Sequence, residues 1–138
     1  MALNRDLIQS RFEDVRESVD RLREMRDLSE AEFLGDQDSL DIACYRLLIA
    51  TEAAIQICFH VSAQRLHSTP ESYSDRFKLL GKAGILDQLL AQRLQRMARF
   101  RDVLVHVYWE IDYHRVYDVL REDVGDLQTF VQAVARML

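Results

Sequence analysis

Ile8, Phe12, Val15, Val19 and Leu22 recur at steps of four, three, four and three, with charged residues filling the gaps. That period keeps the apolar side chains on one face and predicts an amphipathic helix over 4–28. Glu17 with Arg21, and Asp20 with Arg23, fall at contact spacing on the polar side. Ser29 opens a break that ends at Gly35 and Asp36, with a short helical turn across 30–34. A second long helix is predicted over 36–66, where Leu40, Ala43, Leu47, Ala50, Ala54, Ile57 and Val61 alternate by three and four. Cys44, Leu48, Thr51, Ile55 and Cys58 form a second apolar stripe beside the first. A helix apolar on two sides must be covered on two sides, by its own bundle or by another subunit. Glu52 is the sole formal charge between Leu47 and Gln64. A carboxylate in such a setting reaches solvent or pairs with a cation, and Arg101 is one candidate for that cation.

Proline at 70 marks 68–72 as a loop, after which Ser72 or Ser74 can cap a short helix to about Gly81. Gly84 closes the next link. Leu86, Leu90, Leu94, Met97 and Leu104 are the inward candidates of a helix from 86 to about 105. A short helix over 115–120 follows, then a final one over 124–138 with Leu127, Val131, Val134 and Leu138 on one stripe. No alternating strand pattern, internal repeat or low-complexity tract interrupts this series. The expected fold class is therefore all-α, a bundle of four main helices with additional short ones.

Composition narrows the picture further. The 138 residues suit one domain over 1–138. One proline, four glycines, 49% hydrophobic and 30% charged residues fit a soluble helical protein. The sequence reads as having no apolar run near the ~20 residues of a membrane span and no secretory leader. No membrane association and a cytoplasmic location are thus expected. Cys44 and Cys58, about 21 Å apart along one helix, lie beyond disulfide reach and read as small core residues. Cys58, His60 and His67 lack the paired spacing of a zinc site, so no metal is expected. The net charge of −5 argues against broad adhesion to nucleic acid, yet the charge is unevenly spread. Between Glu13 and Asp41 eleven acids oppose four arginines, whereas between Arg65 and Arg101 eight basic residues meet three acids. Arg93, Arg96, Arg99 and Arg101 form either a solvated helix face or a footprint for phosphate groups or an acidic partner.

The run Arg99-Phe100-Arg101-Asp102-Val103-Leu104-Val105-His106-Val107-Tyr108-Trp109 carries the candidate chemistry. Metal-free phosphodiester chemistry needs a group to move a proton and a cation for the charge that builds on phosphorus. Histidine suits proton transfer near neutral pH, and arginine offers a permanent, planar fork to two phosphate oxygens. On an unbroken helix His106 points about 140° away from Arg101, and Tyr108 about 20° from it. The β-branched Val103, Val105 and Val107 predict an end or distortion near Val105 that brings His106 back beside Arg101. Structural roles remain open: Arg101 as ion-pair partner of Glu52 or Asp102, His106 as a helix-end residue, Tyr108 and above all Trp109 as core or interface aromatics. His114 and Arg115 read as surface residues.

Arg101, His106 and Tyr108 match an R-x(4)-H-x-Y pattern. With the 47–57 segment, Thr69-Pro70-Glu71-Ser72-Tyr73, Leu79-Leu80-Gly81-Lys82-Ala83-Gly84-Ile85 and Val105 to Trp109, the chain resembles HepT-like toxins of the HEPN superfamily over nearly its whole length. The resemblance implies a HEPN-like four-helix fold and a homodimer with two motifs facing each other. It also implies a metal-independent endoribonuclease toxin, without cofactor, encoded beside a minimal nucleotidyltransferase antitoxin. On this likeness Arg101 and His106 are the catalytic pair, and Asp102 is a supporting residue where the family has a small polar one. Tyr108 is the site of adenylylation by the antitoxin, placing bulk and negative charge against RNA. The alternatives are a non-catalytic helical partner that docks the nucleotidyltransferase, and a nucleotide-binding partner domain.

Overall fold

The first helix opens on a side-chain cap: the Asn4 carboxamide oxygen accepts the N–H of Leu7, one of the donors a helix start leaves unpaired. The computed structural model describes residues 3–138, apart from the side chain of Tyr108. Among the described residues there is no strand, and the helices are α1 (Arg5–Arg26), α2 (Glu30–Leu34), α3 (Gln37–Arg65), α4 (Tyr73–Lys82), α5 (Gln88–His106), α6 (Tyr113–Glu122) and α7 (Val124–Ala135). A 3₁₀ turn at Tyr108–Glu110 separates α5 from α6. The all-α bundle read from the periodicity is the observed architecture, with α1, α3, α5 and α7 as its long members.

The predicted stripes form the core. Ile8, Phe12, Val15, Val19 and Leu22 of α1 are buried against α3, whose Leu40, Ala43, Leu47, Ala50, Ala54, Ile57 and Val61 are buried in turn. Asn4 N–H donates to His60 Nε2 at 2.9 Å, so the start of α1 meets the end of α3 and the two run antiparallel. Arg5 donates to the Leu138 carbonyl at 2.7 Å while Arg23 bonds Gln128, which sets α7 antiparallel to α1. Phe77 of α4 packs edge-on against Phe130 of α7, with ring centroids 5.8 Å apart.

By length and composition α3 qualifies as a membrane span, which corrects the reading that no such run exists. Alanine and cysteine among the aliphatic residues, with few charges, keep its mean hydropathy high. Half of that apolar stretch is buried inside the fold, where its side chains face α1, α4 and α5. The second stripe is covered only in part: Thr51, Ile55 and Cys58 are buried, Cys44 and Leu48 half-buried, and Tyr45 and Phe59 exposed. Burial pushes the Cys58 thiol well up, and raises that of Cys44 to about 11, so both stay protonated near neutral pH.

The short helices are fixed by local capping. Ser29 and Glu32 form a reciprocal capping box at α2, each backbone N–H meeting the other's side chain at 3.1 Å. Asp112 accepts the N–H of His114 at 3.0 Å and starts α6 two residues before the expected 115. His114 Nδ1 also lies 2.9 Å from Glu30 Oε1, tying α6 to α2. That hydrogen bond, then the negative charges of Glu30, Asp112 and Asp118, raise the His114 pKa above its ordinary 6.5. A raised folded-state pKa stabilises fully below the unfolded value and ceases to do so as pH rises through the folded one. The Tm of the wild type therefore exceeds that of His114→Gln by most at about pH 5.5, and the small gap closes by about pH 8.5.

Gly81 sets the approach of α4 to α5. A Cβ there would sit 2.7 Å from the Cβ of Ala91, a position neither backbone can yield cheaply. Gly84, with φ +79°, then turns the chain in the left-handed region that favours glycine. Gly81→Ala gains about 1 kcal/mol of helix propensity but meets an overpacking cost of about 1–3 kcal/mol. The expected result is a lower Tm, partly restored by Ala91→Gly in the same chain.

Candidate active site

Arg101 stands on α5 facing α3, with its side chain only 14% exposed. Its Nε donates to Glu52 Oε1 and its Nη1 to Asp102 Oδ1, the latter at 3.1 Å. The pair foreseen between Glu52 and Arg101 thus exists, and Asp102 supports the same guanidinium. The ring of Tyr73 at the start of α4 lies 4.8 Å from its central carbon. Burial works against the charge of Arg101, but the hydrogen bond to Asp102 and the carboxylate of Glu52 outweigh it and raise the pKa. The group is a fixed cation, and its Nη2 makes no hydrogen bond among the described residues.

His106 is the last residue of α5 and is exposed. The end predicted near Val105 is thus met within one residue. The Val107 N–H still donates to the Val103 carbonyl at 3.0 Å, and the helix ends at Val107 with φ −132° and ψ 39°. Each β-branched residue costs a helix only a few tenths of a kcal/mol, which the burial of Leu104 beside them outweighs. The motif still straddles the terminus, since Tyr108 begins the 3₁₀ turn beyond it. Placement of the Tyr108 side chain lies outside the described residues.

Arg101 and His106 border one open cavity of about 560 Å³, with Glu71, Ser72, Tyr73, Ser74, Arg99 and Asp102 around it. No direct hydrogen bond joins the two among the described residues. The cavity lies at the end of α5, so side chains that diverge around the helix axis reach the same space. A larger cavity, about 800 Å³, lies between α1 and the last residues, with Arg5, Asp6, Glu13 and Arg16 in its wall. Neither Arg101 nor His106 lines it.

The arginine run resolves into separate jobs. Arg93 Nε reaches both oxygens of Asp126 on α7 at 3.1 Å, a structural tie. Arg96 shares a small acidic recess with Asp118, Glu122 and Asp123. Arg99 donates to Ser74 Oγ at 3.2 Å and stands at the cavity. Only Arg99 and Arg101 therefore keep the phosphate-footprint reading. Arg115 lies over the Phe100 ring at 5.2 Å, and His114 engages Glu30, so both are surface residues away from the cavity. Trp109 is 68% exposed and is not a core residue of this chain. Sequence reasoning found no role for Tyr73. Its surroundings read as a loop and a helix cap, and nothing local announces that it meets an arginine 28 positions away.

Arg101 and His106 thus border one opening of a helical bundle, and no group of three or more His, Cys, Asp or Glu side chains that could hold a metal ion lies among the described residues. A family profile described as Ribonuclease HepT-like matches residues 15–134. The chain belongs to the HepT-like ribonuclease family. It is 25% identical over 129 residues to an mRNA nuclease HepT of Shewanella oneidensis, covering 94% of this chain and 96% of that one. It is 28% identical over 111 residues to a tRNA nuclease HepT of Aphanizomenon flos-aquae, covering 80% and 76%. Its fold matches that of the tri-AMPylated Shewanella oneidensis HEPN toxin in complex with MNT antitoxin, with a TM-score of 0.88, 24% identity, and 96% and 99% of the two chains covered. The enzyme class is accordingly ribonuclease.

Proposed function

We propose that this chain is a metal-independent endoribonuclease toxin acting as a homodimer, with Arg101 and His106 as its catalytic pair and Tyr108 as the point of control. One observation carries the reading: within a HepT-like ribonuclease, Arg101 and His106 border the same open cavity, and Arg101 is anchored through Nε and Nη1, with no bond to Nη2 among the described residues. His106 takes the proton of the RNA 2′-hydroxyl as that oxygen attacks phosphorus. Arg101 meets the charge on the pentacoordinate phosphate. The 5′-oxygen then leaves with a proton from a second imidazole, which the motif of the other subunit supplies, and a 2′,3′-cyclic phosphate remains. Asp102 holds Nη1 of Arg101, and Arg99 serves a neighbouring phosphate. The exposed Tyr45, Phe59 and Trp109 supply apolar surface suited to contact between subunits.

The test is cleavage of single-stranded RNA by the purified chain in EDTA. Continued cleavage with 2′,3′-cyclic phosphate ends, lost in His106→Ala, is expected. Loss of cleavage on chelation, or full activity of His106→Ala, contradicts it.

The partner is a minimal nucleotidyltransferase antitoxin, in keeping with the solved relative that carries AMP and is bound to an MNT antitoxin. Transfer forms a bond from the Tyr108 phenolic oxygen to the α-phosphorus of ATP, and pyrophosphate leaves as the phenolic proton is lost. Co-expression with such an enzyme yields protein heavier by AMP, with the adduct mapping by mass spectrometry to Tyr108 and cleavage lost. Adducts on another residue count against this role. A second reading rests on the two carboxylates that already hold Arg101: a non-catalytic chain that docks the nucleotidyltransferase. It predicts a stable complex that survives substitution of Arg101 and His106, and no RNA cleavage by the free protein.

A further inference from the structure

Tyr73 borders the cavity, yet the motif leaves it without a task. Its ring lies 4.8 Å from the guanidinium carbon of Arg101 and equally 4.8 Å from that of Arg76. Arg76 lies in turn 4.7 Å from the Phe59 ring centroid, and its Nε donates to the Pro70 carbonyl at 3.1 Å. These contacts form one chain of alternating rings and cations, from Phe59 on α3 through Arg76 and Tyr73 on α4 to Arg101 on α5. A guanidinium is attracted to the electron-rich face of an aromatic ring, most strongly where water is partly excluded.

The tethers on Arg101 do different things. Glu52 and Asp102 take Nε and Nη1, which fixes the direction of the group. Hydrogen bonds to those nitrogens still allow the plane to tilt. The Tyr73 ring limits that tilt, and Arg76, fixed at Pro70, braces the ring. We infer that Tyr73 is a positioning residue for RNA cleavage: its ring sets the plane of the Arg101 guanidinium toward the reacting phosphate. The inference rests on the assignment of Arg101 to the catalytic site. The role is assigned to the ring, whose centroid lies 4.8 Å from the guanidinium carbon, and among the described residues no hydrogen bond joins the phenolic oxygen to Arg101. Orientation matters most when the phosphate becomes pentacoordinate, so the loss falls on kcat rather than KM.

The experiment compares wild type, Tyr73→Phe, Tyr73→Leu and Arg101→Ala for steady-state RNA cleavage, with the Arg101 Nε–H resonance recorded for each chain that retains the arginine. Tyr73→Phe is expected within about twofold of wild type, and Tyr73→Leu to lower kcat about tenfold with KM little changed. The ring-current displacement of the Arg101 resonance should persist in the phenylalanine variant and vanish in the leucine variant. Should Tyr73→Leu unfold, Arg76→Met tests the brace, with the same kcat loss in smaller degree and a shifted Arg101 resonance. An inactive Arg101→Ala beside a Tyr73→Leu of wild-type kcat overturns the positioning role alone. Equal losses in Tyr73→Phe and Tyr73→Leu overturn it as well, by placing the function in the hydroxyl. An Arg101→Ala as active as wild type removes the site on which the inference stands.

Discussion

Arg101→Ala lowers kcat for RNA cleavage in EDTA by about 10²–10³-fold, the cost of losing one preorganised donor to a developing anionic charge. The effect is large because the group is held before substrate arrives. Glu52, Asp102 and Tyr73 fix it, so little reorganisation is left for the chemical step. Arg101→Lys keeps the charge and loses the planar fork, the bond made by Nε and the stacked face. It is expected to recover only a small part of the lost rate. The thermal midpoint of Arg101→Ala should fall as well, since Glu52, only 26% exposed, is left without its cation. Steady-state kinetics beside thermal unfolding of the same preparations separates the two effects. A variant that loses activity only in proportion to its folded fraction would place Arg101 among structural residues.

Phe77→Ala costs about 3–5 kcal/mol of stability, the range for removing a fully buried aromatic side chain. Phe77 is 1% exposed and makes the edge-on contact with Phe130 that fastens α4 to α7. Its removal leaves a cavity between two helices that α5 and the close approach at Gly81 prevent from collapsing together. Urea unfolding checks this: a lower midpoint at unchanged slope reports lost stability alone. Because α4 also carries Tyr73 and Ser74 to the cavity, cleavage by this variant should recover when assayed well below its melting temperature. A fall of less than about 1 kcal/mol would mean the helices repack around the void.

The sequence pattern reads well where the determinant is local. The stripes of α1, α3, α5 and α7 are three- and four-residue repeats, and each predicted member of the α1 and central α3 stripes is buried. The family likeness reached the candidate site residues because Arg101, His106 and Tyr108 lie within eight positions. What escaped depends on distant segments. The fate of the arginine run is decided by Asp126, Ser74 and Glu52, which lie 33, 25 and 49 positions from their partners. Glu52 could be matched to Arg101 because a lone carboxylate in an apolar stripe demands a cation. Tyr73 could not, since an aromatic residue after a serine cap makes no such demand.

That Arg101 and His106 serve one transition state is tested most directly by a double-variant cycle. Single-turnover cleavage of one RNA in EDTA would be measured for wild type, Arg101→Ala, His106→Ala and the double variant. Two groups acting on the same phosphate give strongly non-additive losses, so the double variant should be scarcely slower than the slower single. Losses that multiply, or a wild-type rate in either single variant, would contradict a shared catalytic site.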